Sequence, residues 1–334
     1  MTSIFLTNNN PANIQRVFSC ETIAQLQAQA GLDEHIYTLQ EVLDTPAQFR
    51  NVRFIFSTWG MAVMTEEQIK MCFPNLECVF YAAGTVQYFA RPFLNCGVRV
   101  FSAWMANAVP VAEFCVAEIL LANKGFYTTS RLMSSGNYPA AKEVRSKYPG
   151  NYDTPVGIIG TGAIGALVCE MLKPYRLKVL AYSRSLTEEK AAKLGVIKSD
   201  IDTIFSTCNV VSNHMADNDK TKGMFTEKLF ASMMEYSTFI NTGRGAQVVE
   251  EDLAKVLSDR PDLTAVLDVT FPEPPVEGSP FYSLPNCILT PHIAGSSGAE
   301  VHRMAEYMAQ ECCRYLNGES TLYEVTEDML ERMA

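Results

Sequence analysis

The chain has 334 residues, 48% hydrophobic and 19% charged, with a net charge of −10 and a pI near 5.0. Such a length suits about two domains with ordinary cores, and the acidic balance argues against nucleic acid as a main partner. The start, Met1-Thr2-Ser3-Ile4-Phe5-Leu6, lacks a basic region, and no apolar run approaches roughly 18 residues, so neither a leader nor a membrane span is expected. The ten cysteines, from Cys20 to Cys313, form no C-x-x-C pair. Scattered thiols fit a reducing, cytoplasmic location, and no metal site is expected.

In chain order, Ser3–Thr7 reads as a strand, and Asn10-Pro11 opens a helix to about Ala30. Residues 52–57 and Cys78–Tyr81 are strand signals, as is 98–101; Thr65-Glu66-Glu67 caps and charges a helix start. Strands alternating with helices predict a parallel sheet, whose sites lie beyond the C-terminal strand ends. That rule points to Thr58-Trp59-Gly60 and to Ala83-Gly84-Thr85. Residues 107–122 read as a helix with Pro110 in its first turn, apolar almost all round. It is expected to be buried on several sides, between domains or at a subunit interface. Residues 124–153 are polar helix and loop. Further strands are expected at Lys178–Tyr182, 209–212, Thr238–Asn241, Thr264–Leu267 and Cys287–Leu289, with a helix capped at Thr187 that stops at Gly195. A proline-rich loop covers 272–280, and a last helix ends near Leu316.

Val156-Gly157-Ile158-Ile159-Gly160-Thr161-Gly162-Ala163-Ile164-Gly165 reads as a buried strand, a tight turn and a helix start. In G-x-G-x-x-G, Gly160 makes the turn, Gly162 lets a pyrophosphate approach the backbone, and Gly165 lets the helix lie close on the strand. The free N–H groups around Gly162, Ala163 and Ile164 then hold a diphosphate. An acidic residue that would bond the NAD ribose is expected at the end of the next strand. Ser183 stands there, followed by Arg184 and Ser185. A guanidinium between two hydroxyls suits a 2′-phosphate, so NADP(H) is favoured over NAD(H), which stays possible.

Three later segments carry polar residues where strands meet loops: Asn241-Thr242-Gly243-Arg244-Gly245, Asp268-Val269-Thr270-Phe271-Pro272-Glu273-Pro274, and Thr290-Pro291-His292-Ile293-Ala294-Gly295. Alone, Arg244 reads as a surface ion pair and His292 as a core histidine. Together with the glycine fingerprint and the Val111-Ala112-Glu113 helix, they make the chain resemble the D-isomer-specific 2-hydroxyacid dehydrogenase family over nearly its whole length.

The resemblance implies Arg244 as the substrate-binding arginine, His292 as the acid/base, and Glu273 as the carboxylate partner of His292. Reducing a 2-oxo acid needs a hydride and a proton, and a histidine beside a carboxylate can supply the proton near neutral pH. Arg244 can hold the substrate carboxylate and polarise the carbonyl. The family's second carboxylate clamp matches Ala83, Gly84 and Thr85. Asp268 matches the nicotinamide carboxamide position, and His214, Asn241 and Thr242 fall in loops lining the cofactor. Ala216 departs from the proline the family often has two residues after the residue matched by His214. His35 and His302 are expected to be non-catalytic, His302 on a solvated helix face.

The resemblance also implies an α/β fold of two domains: a Rossmann-type parallel-sheet nucleotide-binding domain (104–296) inserted into a flavodoxin-like substrate-binding domain (1–103 plus 297–334). It implies a homodimer with the active site in the interdomain cleft, no nucleic acid or membrane partner, and a small 2-oxo or 2-hydroxy acid substrate. Trp59 with Met61, and Trp104 with Met105, line up as substrate-side residues without a nearby Arg or Lys in sequence. That points to glyoxylate, hydroxypyruvate or a bulkier apolar 2-oxo acid rather than 3-phosphoglycerate. The other readings are a dinucleotide-sensing scaffold of the co-repressor type, a D-3-phosphoglycerate dehydrogenase, and a formate-type enzyme. The last is disfavoured because family members of that type carry Gln where Glu273 stands.

Overall fold

The computed structural model describes residues 2–330. They form two compact units, one running through Asn107 and resumed from Ser296 onward, the other Ala108–Gly295.

The first unit holds a parallel sheet of five strands: β1 (Ser3–Thr7), β2 (Leu32–Thr38), β3 (Phe54–Ser57), β4 (Cys78–Tyr81) and β5 (Arg99–Ser102), in the order β2-β1-β3-β4-β5. This is the flavodoxin-like order, with its switch point between β1 and β3. β1, β3 and β4 are buried throughout, as parallel strands covered on both faces are. Phe56 stacks on Phe80 at 5.1 Å and Phe80 on Phe101 at 4.9 Å. Each such buried ring contributes about 1.5–3 kcal/mol. Thr65 caps its helix as expected, accepting from the Gln68 N–H in a capping box.

The helix expected to run to Ala30 is two helices, Pro11–Val17 and Cys20–Ala30. Ser19 takes extended backbone angles and its hydroxyl accepts from the Thr22 N–H at 3.2 Å, which starts a new helix. β2 gives no alternating pattern because it is a sheet edge, where Asp33, Glu34 and His35 face water or half-face it.

The second unit holds a seven-stranded parallel sheet: β6 (Pro155–Ile159), β7 (Lys178–Tyr182), β8 (Ile197–Lys198), β9 (Val210–Asn213), β10 (Thr238–Asn241), β11 (Thr264–Leu267) and β12 (Cys287–Leu289), in the order β12-β11-β10-β9-β6-β7-β8. Read from β8, this is the doubly wound Rossmann order, and it reverses between β6 and β9. Successive residues feed opposite cores: Val210, Ile240 and Val266 enter one cluster, and Val211, Phe239 and Ala265 the other. That is the two-residue period of a strand buried on both faces.

The helix Trp104–Ala122 starts three residues earlier than expected and is not buried all round. Val111, Ala112, Cys115, Val116 and Ile119 are buried, whereas Glu113, Ala117 and Leu121 form an exposed stripe. Among the described residues it is the one helix long and apolar enough to cross a membrane, and half of its apolar window lies inside the protein.

Candidate active site

The turn after β6 has the geometry its glycines require. Gly160 sits at φ +92°, and a Cβ there would meet the His214 carbonyl oxygen at 2.7 Å. A Cβ on Gly165 would come within 1.9 Å of the Gly160 carbonyl oxygen. Gly162 differs: nothing lies within 4 Å of its Cβ position. Gly162 is the N-cap of the helix Ala163–Leu172 and no side chain caps it. Its open face, the exposed Ala163 and the uncapped N–H groups suit a diphosphate oxygen, so the residues present fit a dinucleotide.

The neighbouring strand ends continue that wall. After β7, Ser183 is half-buried and Arg184 and Ser185 are exposed, with the two hydroxyls 3.5 Å apart. His214 follows β9, across the switch point from the glycine turn. Its Nε2 meets the Ser212 hydroxyl at 2.9 Å, and its Nδ1 is buried without a hydrogen-bond partner. Burial pushes His214 down to about 4, so the ring is neutral at physiological pH. It is not an acid for chemistry near neutrality.

The Arg244 segment follows β10. Asn241 Oδ1 accepts from the Gly243 N–H (3.1 Å) and from Asn213 Nδ2 (2.9 Å), and Asn241 Nδ2 donates to the Arg244 carbonyl (3.2 Å). A Cβ on Gly245 would overlap the Thr270 carbonyl carbon at 2.0 Å, so this glycine is required where two strand-end loops meet. Arg244 is half-buried. Nη1 donates to the Gly243 carbonyl at 2.7 Å, and no ion pair among the described residues involves its guanidinium. Most of the donor fork is therefore free for a carboxylate. Thr242 is buried, its hydroxyl 3.2 Å from Cys115 Sγ.

Asp268, at the end of β11 and 2% exposed, organises the loop that carries His292. Its Oδ1 accepts from the Thr290 hydroxyl (2.6 Å) and the Ile293 N–H (2.8 Å), and its Oδ2 from the Ala294 N–H (2.9 Å). The His292 N–H donates to the Asp268 carbonyl at 3.1 Å. His292 itself adopts φ +54°, a left-handed conformation that costs a histidine energy. Its Nδ1 lies 2.8 Å from Glu273 Oε1, with both side chains about half exposed. The carboxylate fixes the ring at Nδ1, and among the described residues no hydrogen bond uses Nε2.

In the first unit, Thr58 donates its hydroxyl proton to the Ala82 carbonyl, and Ser102 to the Ala83 and Gly84 carbonyls. These bonds pin the Ala83-Gly84-Thr85 turn, and nothing lies within 4 Å of the Gly84 Cβ position. Trp59 is half-buried, whereas Met61 is 1% exposed and belongs to the core, so it leaves the expected substrate-side set. Neither the Trp59 nor the Trp104 stretch carries a cation of its own, but Arg16, from another helix, stands over the Trp59 ring at 5.8 Å. Trp104 packs edge-on against Tyr323. His35 pairs with Glu41 at 3.3 Å. His302 does not sit on a solvated face; it is half-buried, with Nδ1 3.1 Å from the Val17 carbonyl.

Sequence reasoning missed three polar residues of the second unit. Gln247 and Asn213 are wholly buried and hydrogen-bonded to each other at 2.6 Å. Glu118, on the helix Trp104–Ala122, accepts from the Tyr127 hydroxyl. Burial, aided by the charge of Asp268, pushes its carboxyl up to about 7. The available signal was a polar residue inside an otherwise apolar segment.

Comparison with known proteins agrees with this layout. Residues 116–294 match the family model of the D-isomer specific 2-hydroxyacid dehydrogenase NAD-binding domain. A formate dehydrogenase of Neurospora crassa is 30% identical over 211 residues, 61% of this chain and 56% of that protein. A glyoxylate reductase of Korarchaeum cryptofilum is 28% identical over 248 residues, 74% of this chain and 75% of that protein. A D-isomer specific 2-hydroxyacid dehydrogenase of Lactobacillus delbrueckii ssp. bulgaricus, solved in NAD-complexed form, superposes with a TM-score of 0.76 at 20% identity, covering 97% of this chain and all of that one. With the glycine turn, the Arg244 loop and the Glu273–His292 pair in place, the chain belongs to the D-isomer specific 2-hydroxyacid dehydrogenase family.

Proposed function

We propose that this protein is a reductase of small 2-oxo acids, interconverting them with D-2-hydroxy acids, and that it prefers NADP(H) to NAD(H). The observation that carries the reading is the Glu273–His292 pair at 2.8 Å, with His292 held at φ +54° by the Asp268 loop. A structural histidine has no need of that strained backbone or of an exposed carboxylate partner.

The dinucleotide, when bound, supplies hydride at its nicotinamide ring. The chain's own residues do the rest. Arg244 binds the substrate carboxylate with its free guanidinium donors and draws electron density from the carbonyl. His292 Nε2 donates the proton that the new alkoxide needs, while Glu273 holds the ring at Nδ1. In the opposite direction the same nitrogen accepts that proton. Backbone N–H groups at Gly84 and Thr85 are the proposed second carboxylate clamp, and Trp59 the proposed wall beyond C2. Ser183, Arg184 and Ser185 support the cofactor preference, since a carboxylate there would repel a 2′-phosphate.

Arg16 over Trp59 leaves room for an anionic group beyond C2, so the substrate panel includes phosphohydroxypyruvate beside glyoxylate, hydroxypyruvate and branched 2-oxo acids. We assign a homodimer and a cytoplasmic location as part of the same reading. Leu121, Phe126, Met133 and Tyr138 support the first, as large side chains left exposed at 38–60% along and after one helix; light scattering of the purified protein tests it. The central experiment is the 2-oxo acid panel run with NADPH and NADH on wild type and His292→Ala. Turnover that favours NADPH and falls at least about 100-fold in the variant, with dinucleotide affinity kept, supports the reading. Undiminished turnover in His292→Ala removes His292 from the mechanism, and a clear NADH preference removes the cofactor assignment.

A further inference from the structure

Gln247 is 0% exposed, and its amide is fully used. Oε1 accepts from Asn213 Nδ2 at 2.6 Å and from the Arg244 N–H at 3.4 Å. Nε2 donates to the Met215 carbonyl at 2.9 Å and the Ala216 carbonyl at 3.0 Å. A carboxamide has two acceptor and two donor positions, and all four are engaged here. A glutamate, a leucine or a methionine could not serve both sides.

The two sides belong to different parts of the site. One is the loop after β10 that carries Arg244. The other is the loop after β9, whose His214 and Met215 backbone lies against the Gly160 turn. The His214 N–H also donates to the Ile159 carbonyl at 2.7 Å, at the end of the glycine-loop strand. Asn213 and Asn241 are register partners across β9 and β10, so the polar network crosses the sheet at its C-terminal edge. Ala216 lacks the ring constraint of a proline, and its carbonyl is held by Gln247, Thr221 and Asn218 side chains.

We propose that Gln247 is a positioning residue that locks the Arg244 backbone to the dinucleotide-side loop 213–216, so that dinucleotide binding and carboxylate binding are coupled through one buried amide. The inference rests on Arg244 as the carboxylate-binding arginine. Gln247 touches no reacting atom. It acts by holding Arg244 where the guanidinium fork meets the substrate, and small misplacements of such a clamp cost about 10- to 100-fold.

The test uses the full chain as wild type, Gln247→Met, Gln247→Glu and Arg244→Met. NADH or NADPH binding is followed by dinucleotide fluorescence, oxamate binding to that binary complex by the change it causes, and thermal unfolding alongside. Gln247→Met cuts both sides of the link, so oxamate affinity drops at least roughly tenfold and dinucleotide affinity severalfold. Gln247→Glu keeps the acceptor for the Arg244 N–H but sets an oxygen against two carbonyls. It weakens the dinucleotide more than Gln247→Met does and oxamate less, and it carries the comparison if Gln247→Met does not fold. A folded Gln247→Met or Gln247→Glu with wild-type affinity for both ligands, changed in thermal stability alone, overturns the inference. Arg244→Met separates the two claims. Lost oxamate binding with dinucleotide retained upholds the role of Arg244 whatever the Gln247 variants show, and retained oxamate binding removes that role and the coupling with it.

Discussion

Asp268→Asn isolates how the acid/base histidine is held. Asp268 satisfies two backbone N–H groups and one hydroxyl in the loop 290–294, all at 2.6–2.9 Å. Asparagine keeps one acceptor oxygen, which can serve Thr290 and Ile293, and turns an NH2 toward the Ala294 N–H. One hydrogen bond to a charged acceptor is lost, about 1.5–3 kcal/mol, and a buried N–H is left unsatisfied. A net loss of about 3 kcal/mol follows. It exceeds or matches the roughly 1–3 kcal/mol of strain stored by a non-glycine residue in the left-handed region, such as His292 at φ +54°. The loop then relaxes, and His292 spends most of its time away from Glu273. At about 1.4 kcal/mol per tenfold, kcat falls by up to about 100-fold. Urea unfolding gives the stability change, and steady-state kinetics at saturating dinucleotide gives kcat. Adding His292→Ala to Asp268→Asn should cost no further stability from strain and little further activity. Wild-type kcat in a folded Asp268→Asn refutes the argument that this carboxylate maintains the His292 conformation.

Three further outcomes are expected. His214 is held near 4 against an unfolded value near 6.5, so the unfolded chain takes up a proton first. Stability is full above about pH 6.5 and declines toward pH 4 by about 3 kcal/mol from this group, and His214→Gln should flatten that part of the profile in urea titrations. An unchanged slope in the variant contradicts the burial argument. Glu118 is shifted the other way, to about 7, so its folded-state preference for the neutral form gives stability below about pH 4.5 that is lost as pH rises to 7. Full conversion gives about 3 kcal/mol, and partial solvent screening reduces it to about 1–2. Glu118→Gln should therefore be the more stable protein at pH 8, by thermal unfolding, and equal to wild type near pH 4. Gly165→Ala places a methyl 1.9 Å from the Gly160 carbonyl oxygen, so the helix and glycine turn must separate. Dinucleotide affinity should fall at least about tenfold by fluorescence titration, and an unaffected Kd would show that the turn tolerates the shift.

Period and punctuation were enough to read much of this protein. β4, β10 and β11 lie where apolar runs bounded by turns place them, because fully buried parallel strands carry their burial in sequence, and the partly buried β7 and β12 match their expected ranges as well. The glycine turn was legible for the same local reason: only residues without a Cβ satisfy its angles and approaches. Arg244, Glu273 and His292 were recognisable through ordered motifs, and the Glu273–His292 contact spans 19 residues that no local rule connects. Edge strand β2, the two-residue β8 and the break at Ser19 were not legible, since their conformations answer to exposure or to one hydroxyl rather than to a repeating pattern.

The sequence by itself determined the two parallel sheets, the dinucleotide turn and the chemical inventory of the site, because each depends on residues close along the chain. Only the tertiary structure decided how that inventory is held. Asp268 is spent on the His292 loop, Gln247 joins two strand ends, Arg16 reaches Trp59, and Met61 withdraws into a core. These are contacts between segments distant in sequence. Their partners are chosen by which strand ends the sheet brings together, a fact that a linear pattern does not contain.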